Sequence, residues 1–195
     1  MTYHQQMIPK QLIKKAERFA YSQSKKHQTP SISFIDLSNE KGQKLAKFLK
    51  ANKDIVFLGT MLMDCRLGFA KKIGRRKDHI KISEKAAKEL LSQFPKLDKS
   101  IKENILHCIR QHHGVKKFYS LEAEICCNAD CYRFASIKGV IAGIKYSHNM
   151  NLKEVIDLYL EKADEKWNAL SLDICKKELE PQYKIIKKFL KQYKD

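Results

Sequence analysis

Glycine and proline are scarce in this chain, seven and four among 195 residues. So few turn formers exclude a many-stranded barrel or sandwich, which needs a turn every 8–12 residues or so. Cysteines are present at positions 65, 108, 126, 127, 131 and 175, but no C-x-x-C pair occurs, which excludes a zinc ribbon and a thioredoxin-type motif. No apolar run comes near the roughly 18 residues a spanning helix needs, and Met1 to Pro9 lacks the apolar stretch of a secretory leader. The expectation is therefore a cytoplasmic protein with reduced thiols and no membrane span. Negative charge is also short: 22 Asp and Glu stand against 39 Lys and Arg, a formal net charge of +17. That balance favours a polyanionic partner, with nucleotide, nucleic acid and anionic membrane surface all in play. Lysines scattered over solvated faces are the plainer explanation, because no basic block stands out.

What the chain does have is helical periodicity. Lys, Glu, Leu, Ala and Ile recur at spacings of three and four, and the predicted fold is all-α. A first helix starts at Pro9 and presents Leu12, Ile13, Ala16, Phe19 and Ala20 on one face down to about Tyr21. Asp36 or Ser38 can cap a second. Ile55 to Met63 is the most apolar run, a buried helix in preference to a strand, and it delivers Asp64 to the edge of the core, where a carboxylate needs a partner. Gly68 to Lys77 reads as a basic loop. Helices follow over about Ile80 to Phe94, Asp98 to Gly114 and Leu121 to Phe134, with Ile137 to Tyr146 a helix or turn. A long amphipathic C-terminal stretch runs from Leu152 to Tyr193 and is expected to break near Pro181. It can cover the bundle or form a dimer contact. The predicted organisation is one domain over 1–195, with a core over about 34–134 and C-terminal helices over about 150–195.

Chemistry gathers between Leu62 and Asp130. Asp64 comes first, then His79 with Ser83 four residues on, then His112-His113-Gly114, then Asp130. Adjacent helical residues diverge by about 100°, so His112 and His113 serve one site only because the helix ends there, at Gly114.

The order and spacing of these residues resemble the HD-domain superfamily of metal-dependent phosphohydrolases over about Phe34 to Phe134. In that pattern a first histidine, a His-Asp pair and a late aspartate hold one ion, and further histidines with the shared aspartate hold a second. Asp64 matches the aspartate of the pair, His79 the middle histidine, His112 and His113 the tandem pair, and Asp130 the last aspartate. The chain departs from the pattern at Met63, where the pair's histidine belongs, and at Leu67, where a lysine is frequent. It departs again at Phe34, where the first histidine falls; Asp36 and His27 are the nearest substitutes.

The resemblance implies an HD-like helical bundle and phosphate-ester hydrolysis. Asp64, His79, His112, His113 and Asp130 are the implied metal set, and Asp64 and Asp130 the implied catalytic carboxylates. Because the losses fall on one ion position, the expected cofactor is a divalent transition metal (Mn, Fe, Ni or Zn), with one ion favoured over two. Arg66, Arg75, Arg76, Lys117 and Arg133 are the candidates for phosphate contact. The expected substrate is a nucleotide or another phosphorylated small molecule. A catalytically silent module that binds nucleotide, nucleic acid or a protein partner is the alternative.

Overall fold

A computed structural model describes residues 7–147 and 150–193. Among these residues there is no strand, and the helices run α1 (Lys10–His27), α2 (Ile32–Phe48), α3 (Lys53–Leu62), α4 (Leu67–Lys72), α5 (His79–Ser92), α6 (Lys99–Gln111), α7 (Leu121–Ala135), α8 (Ile137–Ile144), α9 (Leu152–Ala169) and α10 (Asp173–Lys191). The expected all-α class is met. A single 3-10 turn, Arg76–Asp78, leads into α5.

The bundle is built around α7, which packs on α2, α3, α6, α8, α9 and α10. Its sequence explains the position: Ile125, Cys126, Cys127, Ala129, Cys131, Tyr132 and Ala135 are buried around the whole circumference, not along one stripe, the mark of a central helix. Small residues let neighbours approach closely. A Cβ on Gly59 of α3 would lie 2.6 Å from both Cys108 of α6 and Cys126 of α7. The main core joins α1–α3 and α5–α7 to the first turns of α10, and a second cluster links Val140 of α8, Tyr159 and Ala163 of α9, and Ile186 and Leu190 of α10.

Several expected boundaries shift, each for a local reason. Ser31 caps α2, accepting from the Phe34 amide. Ser38 instead lies buried with its hydroxyl facing Arg133, and Asp36 accepts from the Tyr21 hydroxyl. The expected loop over Gly68 to Lys77 contains α4 and the 3-10 turn. The C-terminal stretch breaks at Leu170–Leu172, while α10 runs through Pro181. Asn128 of α7 holds that break, its side-chain oxygen accepting from the amides of Ser171 and Leu172. The corner so fixed sets how α9 lies on α7.

Candidate functional site

Helix α3 starts cleanly, with Asn52 capping the Asp54 and Ile55 amides. It ends at Leu62, and the chain turns through Met63 to Arg66. Asp64 thereby leaves the helix at the core edge, in a turn fixed where the Ser83 hydroxyl of α5 accepts from the Arg66 amide at 3.1 Å. Met63 is fully buried.

Two histidines face Asp64. His79 opens α5 and its Nε2 lies 3.4 Å from Asp64 Oδ1; His112 ends α6 and its Nε2 lies 3.5 Å from the same oxygen. In both rings the other nitrogen is taken up by the backbone. Nδ1 of His79 is 2.9 Å from the Arg76 carbonyl, and Nδ1 of His112 is 2.7 Å from the Ile109 carbonyl. Nδ1–H therefore donates in each, and Nε2 is left with a lone pair or an extra proton. His113 completes the group: one ring nitrogen from each of His79, His112 and His113 lies within 4.8 Å of the other two. Gly114, at φ +92°, ends the helix behind them.

Positive charge reaches the carboxylates from the other side. Nη1 of Arg133 lies 2.5 Å from Asp64 Oδ2 and 3.0 Å from Asp130 Oδ1, and Lys166 Nζ of α9 lies 2.7 Å from Asp130 Oδ2. The four are nearly sealed from solvent, at 5% exposure for Asp64, 2% for Asp130 and 3% each for Arg133 and Lys166. Arg133 is fixed further by donation from Nε to Ser38 Oγ at 2.7 Å.

Electrostatics follow from this arrangement. Burial alone would raise the Asp130 pKa, but Lys166 and Arg133 outweigh it and hold the carboxyl well below its usual range. For Asp64, burial is opposed by His112, Arg133 and His79, and the carboxylate is again held ionised. His113 keeps 37% of its side chain in solvent; desolvation of the rest, with His112 and Lys166 nearby, pushes its pKa down and the ring stays neutral at pH 7.

Asp64, His79, His113, Asp130, Arg133 and Lys166 line a cleft of about 500 Å³, and His112 lies buried behind them. Arg76 and Lys77 line it on one side, Lys162 and Glu165 of α9 on another, and Phe34, Phe134 and Tyr159 form an aromatic wall. The Phe34 and Phe134 rings meet edge to face at 5.2 Å.

The structure thus brings together Asp64, His79, His112 and His113, with Asp130 and Arg133 adjoining. Asp130, expected as a metal ligand or base, has both oxygens engaged by protein cations. Of the expected phosphate contacts, Arg76 and Arg133 line the cleft. Arg66 does not: it donates to Gln23 and lies over the Phe69 ring. Arg75 pairs with Asp78 and lines a separate hollow, and Lys117 is exposed outside the cleft lining. Neither substitute for the first histidine reaches the cluster, since Asp36 bonds Tyr21 and His27 packs edge-on against Phe69. Sequence reasoning missed Lys166, which has no local signal, and the aromatic wall, whose members lie on α2, α7 and α9.

No family model and no curated protein matches the sequence. Solved structures do match its fold. A predicted HD superfamily hydrolase from an uncultured Thermotogales bacterium superposes with a TM-score of 0.66 at 16% identity, covering 92% of this chain and 90% of that one. An HD-superfamily hydrolase from Bacillus thuringiensis gives 0.62 at 15%, covering 94% and 95%. YpgQ of Bacillus subtilis in complex with ADP gives 0.62 at 13%, covering 93% and 94%. The resemblance read from Asp64, His79, His112-His113 and Asp130 therefore holds at the level of architecture: this chain has the helical fold of the HD-superfamily hydrolases.

Proposed function

We propose that the protein is a metal-dependent phosphohydrolase that works with one transition-metal ion, held by Asp64, His79, His112 and His113, on a nucleotide or a related phosphate ester. One observation carries this reading. Asp64 Oδ1 and the Nε2 atoms of His79 and His112 converge at 3.4 and 3.5 Å, an ion pair wherever a ring is protonated, and apart from one another neither Asp64 Oδ1 nor His112 Nε2 has a hydrogen-bond partner among the described residues. Converging acceptors repel unless a proton or a metal ion lies between them. These two Asp64–histidine spacings fit an ion, because two donors each about 2.1 Å from a tetrahedral metal lie roughly 3.4 Å apart. Three imidazoles and one carboxylate suit Mn, Fe, Ni or Zn and fit magnesium or calcium poorly.

When bound, such an ion polarises a phosphoryl oxygen and lowers the pKa of a coordinated water to about 7. The chain's own residues do the rest. The Arg76 and Ile109 carbonyls fix the tautomers of His79 and His112. Arg76, Lys77 and Lys162 draw the phosphate into the cleft. Asp130 positions Arg133. The aromatic wall suits the flat face of a nucleobase, and the ADP bound to the similarly folded Bacillus subtilis protein supports a nucleotide as substrate class.

A second reading, a cleft that binds nucleotide without cleaving it, is favoured by the engagement of both Asp130 oxygens and of Asp64 Oδ2, which leaves neither carboxylate as a free base. Phosphate release from nucleoside mono-, di- and triphosphates, measured on chelated protein and after return of Mn, Fe, Ni or Zn singly, separates the two. Release restored by metal and abolished in Asp64→Asn is the expected result. Nucleotide binding without release under every metal selects the second reading. Release that survives chelation overturns the proposed metal site.

A further inference from the structure

We infer that the Arg133 guanidinium and the Lys166 ammonium are a built-in cation pair occupying the position where a second metal ion would bridge Asp64 and Asp130, so that the cleft admits one ion and excludes another. The inference deepens the one-ion reading but rests on separate atoms. A single nitrogen, Arg133 Nη1, takes one oxygen from each carboxylate, at 2.5 Å and 3.0 Å, as a bridging ion does. Lys166 Nζ takes the remaining Asp130 oxygen at 2.7 Å. Of the four carboxylate oxygens, only Asp64 Oδ1 is left without a protein cation, and that one faces the histidines.

Charge and chemistry agree with the geometry. Two ionised carboxylates are balanced by two protein cations, so no net negative charge remains between them to attract a divalent ion. An ion entering there would meet a guanidinium and an ammonium in a sealed, weakly screened environment, where like charges repel strongly. Both cations are also anchored from behind, Arg133 by Ser38 Oγ at 2.7 Å and Lys166 by Glu165 Oε1 at 3.3 Å. The residues at the pattern's two histidine positions bring no suitable ligand atom. Met63 is a buried thioether, a soft donor ill matched to an oxygen-rich site, and the Phe34 ring packs on Phe134.

Arg133 and Lys166 then act as positioning residues. They neutralise Asp130 and hold the Asp64 carboxylate so that Oδ1 is presented to His79 and His112. Nothing in the cleft depends on the supply of a second ion.

The 195-residue chain loaded with Mn(II) tests this, with ions counted by mass spectrometry and located by anomalous diffraction. Wild type is expected to hold one ion, at the histidines, and no anomalous peak between Asp64 and Asp130. Arg133→Met/Lys166→Met is expected to gain an ion between the carboxylates, raising the count from one to two. A peak between Asp64 and Asp130 in wild type overturns the inference. So does a folded double variant that gains no ion at the same Mn(II) concentration. If the double variant does not fold, the wild-type map alone decides. An absence of ions at the histidines is a different outcome: it overturns the proposed metal site, and the double variant should then rise from zero ions to one.

Discussion

Lys166→Met removes the ammonium while keeping most of the side chain's bulk. Lys166 and Asp130 are 3% and 2% exposed and their charged atoms lie 2.7 Å apart. Removing one partner of such a buried pair costs about 3–5 kcal/mol, because the other charge is left uncompensated. Two features favour the low end: Arg133 still reaches Asp130 Oδ1 at 3.0 Å, and Glu165 retains Lys162 as partner. The expected loss is therefore about 3 kcal/mol, which in a chain of this size lowers Tm by roughly 6–12 °C. Urea unfolding of chelated protein, followed by helical circular dichroism, reads it directly. Lys187→Met is the control, since it breaks a pair with the half-exposed Asp164 and should cost no more than about 1 kcal/mol. Adding Asp130→Asn to Lys166→Met should recover part of the loss, with a coupling energy of about 2 kcal/mol. A Lys166→Met variant within about 1 kcal/mol of wild type would refute the reasoning.

Acid sensitivity should share this origin. The Asp130 pKa is depressed in the folded chain, so its contribution is complete above the unfolded value of about 3.9 and is lost as pH falls from there toward the folded value. Wild-type stability should fall from about pH 4 downward, and fall less in Asp130→Asn/Lys166→Met, as urea midpoints across the acid range will show. Met63→His alone should add no second ion, because Phe34 and the two protein cations remain. It should also destabilise by about 1–3 kcal/mol, since a buried imidazole there lacks an assured partner; metal counting and urea unfolding check both parts. Ser83→Ala removes the acceptor of the Arg66 amide that holds the Asp64 turn. Metal affinity, measured by competition with a chelator, should weaken about 10- to 100-fold.

The helical class, the buried helix before Asp64 and the termination of α6 just before Gly114 were legible in the sequence because each is signalled by neighbours within a turn or two. So was the demand for a partner at Asp64, a carboxylate closing an apolar run. The identity of those partners was only half legible. His79 and His112 stand out as rare residues at helix ends, whereas Lys166 is one of 39 basic residues and acquires meaning only where α9 crosses α7. The same limit explains the misplaced C-terminal break. Pro181 is a local breaker that α10 tolerates, while the real corner at Leu170–Leu172 is held by Asn128 on another helix. Ser38 looked like a cap and instead anchors Arg133, a contact that spans α2 and α7. Arg66 and Arg75 lie close in sequence to the metal candidates, yet their side chains turn toward Phe69 and Asp78.

Titration of chelated protein with Co(II), followed by its visible absorption, tests the central claim most directly. One equivalent should saturate the protein and produce ligand-field bands of an imidazole-rich site, and those bands should vanish in His112→Ala. Two equivalents at saturation, no saturable band, or a spectrum unchanged by His112→Ala would contradict a single ion held by Asp64 and the three histidines.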